Sequence, residues 1–289
     1  MIRGSQSGGI AMIHGEGILR GAGGIELYHQ WWRPEGEVRA ALAIVHGHGE
    51  HSGRYMNVVE ALIPHGYAVY GLDHRGHGRS RGQRGHINSY AEYREDVGAF
   101  LQWIANQEPD RSIFLMGHSM GALVVLDYLL LQPDGIRGAI ISGAPLEPAG
   151  VVKPLLVIVS RALSRTWPRF PLRLGLDTSA LSRDHAVVRA YVDDPLVHGT
   201  FTARWGTESL AALARVKSRA GDVHVPILII HGEADRVNLA DGSREFFENV
   251  ACADRTLHVY PGMYHELHND VGHEPVMADL ECWLGRHLP

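Results

Sequence analysis

Residues 40–45 and 68–72 are continuous apolar runs, and 113–116, 138–141, 227–230 and 256–260 repeat that style. Short runs without polar alternation are what strands covered on both faces require. Residues 25–32 mix polar and apolar positions, as a half-exposed strand does. Between these runs lie longer stretches with helical spacing of apolar residues, at 56–65, 90–106, 120–131, 243–248 and 275–287. Strands alternating with helices predict a mostly parallel sheet flanked by helices on both faces.

The alternation breaks once. From about residue 146 to 201 no clean strand is legible, and the composition turns to Leu, Val, Arg, Trp and Pro. The rhythm resumes at Val225, so the segment reads as an insertion between two strands of one sheet. Insertions there overhang the carboxyl ends of the strands, where ligands bind. The expected organisation is an α/β core over 1–145 and 206–289, interrupted by a mainly helical cap over 146–205.

Composition narrows the picture further. With 45% hydrophobic and 20% charged residues, the chain is an ordinary globular one, and its net charge of -5 with no basic run argues against nucleic acid as a partner. Cys252 and Cys282 match no metal or disulfide spacing, so a reducing cytoplasm is the expected compartment. Residues 1–16 lack the apolar core of a secretory signal, and 1–11 read as an untidy leader ahead of Met12. The longest apolar run of the cap, 154–159, is too short to span a bilayer.

The chemistry concentrates at the strand ends. Gly117-His118-Ser119-Met120-Gly121 follows the run at 112–116 and opens the helical stretch at 120. A serine in G-x-S-x-G between strand and helix sits on a sharp turn, exposed beside the helix N-terminus. Such a serine needs a base, and the base an orienter, arriving later in the chain in the order acid then histidine. The run at 227–230 leads into His231-Gly232-Glu233-Ala234-Asp235, and the run at 256–260 into Pro261-Gly262-Met263-Tyr264-His265. Asp235 and His265 therefore fill the two places. Among 19 histidines, His258 falls inside a strand, His287 at a helix end, and His268 and His273 beyond the loop; Asp241 falls at the following helix.

After the run at 40–45 comes His46-Gly47-His48-Gly49-Glu50-His51. That position supplies the second oxyanion N–H, from His48, with Met120 donating the other. The same residues approximate H-x-H-x-D-H, and His46, His48 and His51 form the competing reading of a metal-dependent hydrolase. Glu in place of Asp, and a serine elbow left without a purpose, count against it, so no metal or cofactor is expected. Asp73 and Arg75 in the Gly-rich 73–80 loop are expected to bond neighbouring loops. Gly21-Ala22-Gly23-Gly24 precedes its strand, which excludes a dinucleotide loop.

The stretches HGHGEHSGRY (46–55), GLDHRGHGRS (71–80), GHSMG (117–121), DDPLVHG (193–199), HGEADR (231–236) and GMYHELHND (262–270) together resemble the monoacylglycerol lipase and lysophospholipase branch of the α/β-hydrolases. The resemblance implies a serine carboxylester hydrolase acting on monoacylglycerols or related acyl esters through an acyl-enzyme. It also implies that Glu50, Arg54 and His268 surround glycerol hydroxyls and that Tyr191 lines that polar end. The plain alternative is a Glu50–Arg54 pair at i, i+4 that only holds the loop. His48 stands where many members carry a small or apolar residue, which bears on the acyl end. Cap residues Leu155, Leu156, Val157, Ile158, Val159, Leu163, Trp167 and Phe170 are expected to line an acyl tunnel, meet a lipid surface or only pack the cap. Alternative substrates are lysophospholipids, short-chain esters or a second alcohol as acyl acceptor; a catalytically silent binding protein is the non-enzymatic reading.

Overall fold

The structure, a computed structural model, describes the backbone of residues 2–7, 10–131, 133–149 and 154–289, and the side chains of 12–131, 133–149 and 157–289. In chain order the strands are β1 (Ile2–Ser7), β2 (Ile10–Arg20), β3 (Glu26–Pro34), β4 (Ala40–Val45), β5 (Tyr67–Leu72), β6 (Ser112–His118), β7 (Ile136–Ser142), β8 (Pro171–Arg173), β9 (Thr200–Thr202), β10 (Ile227–Gly232) and β11 (Arg255–Tyr260). The helices are α1 (Met56–Leu62), α2 (Ala91–Gln107), α3 (Met120–Leu129), α4 (Pro154–Thr166), α5 (His185–Asp193), α6 (Ala203–Ser218), α7 (Ala240–Asn249) and α8 (Glu274–Arg286).

Nine strands form one sheet in the order β1-β2-β3-β5-β4-β6-β7-β10-β11. From β5 to β11 neighbours run parallel, whereas β1, β2 and β3 form an antiparallel edge. The continuous apolar runs have the predicted cause. In β4, Ala41, Ala43 and Val45 face a core with α2, α3 and α6, while Ala40, Leu42 and Ile44 face the other core with α1 and α8. Every β4 residue is thus buried.

Three features depart from the expectation. The segment at 1–11 supplies β1 and the start of β2, a hairpin on the sheet edge, though its side chains lie outside the described residues. The cap contains a small sheet, β8 against β9. It also leads into α6, whose residues Trp205, Ala212 and Val216 are buried and which packs on both α3 and α4. The helix runs past residue 205, joining cap to core. Thr202 starts it, its hydroxyl accepting from Trp205 N–H at 3.3 Å.

No described helix is long and apolar enough to cross a membrane. Cys252 and Cys282 are free thiols.

Candidate active site

Ser119 follows β6 directly and begins α3 with φ 52° and ψ -121°, a left-handed conformation rare for a residue with a side chain. The flanking glycines make it possible. A Cβ at Gly117 would lie 2.4 Å from Gly121 O, and one at Gly121 only 2.0 Å from Val45 O. No other residue fits either place. Ser119 N–H donates to Ser142 O at 2.9 Å, and Ser119 O accepts from Ala122 N at 2.9 Å, so the turn is held from both sides.

Sheet order brings the remaining loops to the same rim. A Cβ at Gly232 would meet Tyr264 O at 2.3 Å, so glycine there lets the loops after β10 and β11 touch. On them, His265 Nδ1 lies 2.7 Å from Asp235 Oδ2, with His265 3% and Asp235 4% exposed. Burial alone would favour neutral Asp235, yet His265 and His231 hold its carboxyl well below the usual range. Burial likewise opposes charge on His265, but Asp235 outweighs it and raises the imidazole above its ordinary value. An ionised carboxylate only accepts, so Nδ1 carries the hydrogen and Nε2 is left with a free lone pair. Ser119 and His265 line one cavity, although no hydrogen bond joins them among the described residues. Asp235 Oδ1 accepts from Val237 N (2.7 Å) and Asn238 N (3.0 Å), which fixes the carboxylate.

The loop after β4 approaches Ser119 from the other side. Gly47 N–H donates to Glu50 Oε1 at 2.7 Å, and His198 N–H of the cap donates to Gly49 O at 2.8 Å. Among the described residues no backbone acceptor takes the N–H of His48 or of Met120. Of the three histidines in the metal alternative, two have occupied nitrogens, His46 Nε2 accepting from His74 N at 3.0 Å and His51 Nε2 lying 2.8 Å from Asp194, while both ring nitrogens of His48 are unpartnered. Among the described residues no three His, Cys, Asp or Glu side chains gather as metal ligands. Asp73 bonds the neighbouring loop at Ser52 N–H, as expected, and its own loop at Arg79 N–H; Arg75 bonds Ala22 O of the loop before β3 and, beyond the expectation, Asp96 on α2.

The head-group candidates divide. Tyr191 and Glu50 line the smaller and more polar of two cavities, with Ser119, His118 and His265 beside Leu174, Leu176, Leu181 and Val237. Arg54 and His268 stand behind its wall: the Arg54 guanidinium lies 4.6 Å from the Tyr191 ring centre, and His268 stacks on Tyr55 at 4.6 Å with both ring nitrogens unpartnered. Arg54 does pair with Glu50, at 2.7 Å, but it also binds Glu266 through two bonds of 2.6 and 2.7 Å. Glu266, missed in the sequence, is buried and lines the polar cavity. Its place directly after His265 was the available signal. Burial would neutralise Glu50, yet Arg54 and nearby histidines hold it well below the normal carboxylate range. Arg54→Leu therefore strands two buried carboxylates and should cost about 3–5 kcal/mol, measured by urea unfolding. A loss under about 1 kcal/mol would mean the carboxylates do not depend on it.

A second, apolar cavity runs from Ser119 under the cap, lined by Leu123, Val157, Leu174, Phe201, Trp205 and Leu210 among others. Ser119 and His48 border both cavities.

Comparison with known proteins agrees with this architecture. Residues 36–272 match the family described as serine aminopeptidase, S33. The monoacylglycerol lipase of Mycolicibacterium smegmatis is 35% identical over 96% of this chain and 100% of its own. Phospholipase YtpA of Bacillus subtilis is 31% identical over 89% of this chain and 99% of its own. The crystal structure of Paleococcus ferrophilus monoacylglycerol lipase superposes with a TM-score of 0.83 at 33% identity, covering 91% of this chain and 99% of that one. The chain belongs to the serine aminopeptidase S33 family, stands with its monoacylglycerol lipase members, and is a serine ester hydrolase of the α/β-hydrolase fold.

Proposed function

We propose that this hydrolase cleaves monoacylglycerols of medium to long acyl chain through an acyl-enzyme. One observation carries the reading: an apolar cavity and a smaller one that adds Glu50, Tyr191 and Glu266 to its lining meet at Ser119, as a lipid tail and a hydroxylated head require on the two sides of an ester carbonyl. His265 takes the Ser119 proton as the hydroxyl attacks the carbonyl carbon, and Asp235 stabilises the imidazolium that forms. The N–H groups of His48 and Met120 receive the oxyanion, each contributing about 3–4 kcal/mol. The tetrahedral intermediate collapses, the C–O bond to glycerol breaks, and His265 returns the proton to the leaving alkoxide. Water, deprotonated by His265, then releases the fatty acid and restores Ser119.

Charge favours a neutral head group over a phosphate-bearing one. The Arg54 cation is shared between Glu50 and Glu266, which leaves the polar end net anionic. A phosphodiester would face uncompensated carboxylate. The cap adds a lipid-facing surface to the reading: Ile158 (64% exposed), Trp167 (59%) and Val159 are apolar and open to solvent. The side chains of Leu155 and Leu156, expected to share that role, lie outside the described residues.

The test is one substrate panel: monooleoylglycerol, lysophosphatidylcholine, oleoyl lysophosphatidate and p-nitrophenyl esters of graded length, offered as monomers and in vesicles. The expected kcat/KM for monooleoylglycerol exceeds that of both lysophospholipids by about tenfold or more. An Ile158→Ser/Trp167→Ser variant should lose rate on vesicles alone. Preference for either lysophospholipid would overturn the head-group assignment, and equal loss on monomers would overturn the surface role.

A further inference from the structure

His231, at the end of β10, is fully buried and belongs to neither substrate cavity. Its ring has three neighbours. Nε2 lies 2.9 Å from Asn238 O and 3.2 Å from Asp235 Oδ2, while Nδ1 lies 2.7 Å from the Ser243 hydroxyl on α7. A carbonyl oxygen only accepts, so Nε2 carries a hydrogen. In the neutral ring Nδ1 must then accept, and the Ser243 hydroxyl donates to it. The same Asp235 Oδ2 receives His265 Nδ1–H at 2.7 Å. One carboxylate oxygen thus stands between two imidazoles, one on the substrate side and one anchored in the core.

From this arrangement we infer that His231 and Ser243 are positioning residues that extend the Ser119–His265–Asp235 chain and set the basicity of His265. The inference rests on that triad reading. The His231 Nε2–H bonds Asn238 O and also faces Asp235 Oδ2 at 3.2 Å, so it offsets part of that oxygen's charge and less of it is available to hold a proton on His265. The Ser243 hydroxyl, donating to Nδ1, polarises the ring and strengthens the N–H beside Asp235. Together with the Val237 and Asn238 N–H groups on Oδ1, this also fixes the plane of the carboxylate. The other groups facing His265 are His118, with ring centres 4.7 Å apart, and the Glu266 and Glu50 carboxylates. None of them touches Asp235 as His231 does.

The sign of the effect follows. Without the His231 donor, Asp235 binds the imidazolium more strongly, and the acid limb of kcat/KM moves to higher pH. For His231→Leu a rise of about half a pH unit is expected, with kcat down about tenfold from looser orientation. KM should hold, because neither cavity is altered. His231→Gln, whose amide N–H reaches the place of Nε2, should bring limb and kcat most of the way back. Ser243→Ala, nearly isosteric, should move the limb the same way by less, and it serves if His231→Leu fails to fold. All are assayed with p-nitrophenyl butyrate beside Ser119→Ala. An unmoved limb in both His231→Leu and Ser243→Ala, or equal behaviour of the Leu and Gln variants, overturns the inference. Activity surviving in Ser119→Ala instead overturns the triad beneath it.

Discussion

Ser119→Ala is expected to lower kcat by roughly 10⁵- to 10⁶-fold while leaving KM nearly unchanged, the largest single effect in the molecule. The reason is local. In the proposed mechanism the Ser119 hydroxyl, at the junction of the two cavities, forms the covalent bond, and without it His265 and Asp235 have no nucleophile to activate. Binding survives, because tail and head meet other side chains. A remainder of about 10³- to 10⁴-fold over water should persist from the oxyanion donors and from binding. Two measurements check this. Single-turnover hydrolysis of a p-nitrophenyl ester gives the rate, and intact-mass analysis after a fluorophosphonate gives the adduct. Wild type should gain one adduct and the alanine variant none. Activity within tenfold of wild type would refute the assignment of Ser119.

The serine was legible in the sequence because its constraint is local. Gly117 and Gly121 are needed for contacts with backbone a few residues away or on the adjacent strand, and that need is written in five consecutive letters. Asp235 and His265 were legible through their place after apolar runs, since strand ends in a parallel sheet share one rim. Glu266 and His231 were not. Their meaning depends on Arg54, 212 positions from Glu266, and on the turn from β10 into α7 that sets Asp235 and Ser243 against the His231 ring. Helix α6 escaped for another reason. Its buried face is thin, Trp205, Ala212 and Val216 among Arg, Glu, Thr and Ser, and it emerges from an insertion without flanking strands of readable length. The three-residue strands β8 and β9 are too short to display alternation. In the first hairpin, Gly, His and Glu on β2 look like a polar leader until β3 pairs with them.

Between about pH 6.5 and pH 4 the protein should lose its fold, because an unusual number of its histidines are buried as neutral rings. Burial pushes His48 down to about 3 and His29, His198 and His268 to about 4. It also drives His46, His74, His77 and His118 below the ordinary imidazole value. Five of these, His46, His48, His74, His77 and His198, pack ring against ring behind the oxyanion loop, with centroids 4.5 to 6.1 Å apart. A second proton in that cluster would lie beside the first. Each folded value sits below the unfolded one, so in this window the unfolded chain binds protons the native state refuses. Stability is therefore full above about pH 6.5 and falls as pH drops toward the folded values. The fully buried His268 alone, moved from 6.5 to about 4, contributes roughly 3 kcal/mol of that loss. His265 is raised and works in the opposite direction, one group against nine, since burial lowers His86 as well. Asp235 and Glu50 stay ionised until far lower pH and do not offset the trend in this window. Typical domains hold about 5–15 kcal/mol in reserve, which two or three such histidines consume. Urea unfolding at half-unit steps from pH 7.5 to 4.5 should give a stability that declines ever more steeply, with proton uptake of several equivalents on unfolding near pH 5. A flat stability across that range would mean the rings are not held neutral, and the packing behind His48 would need another account.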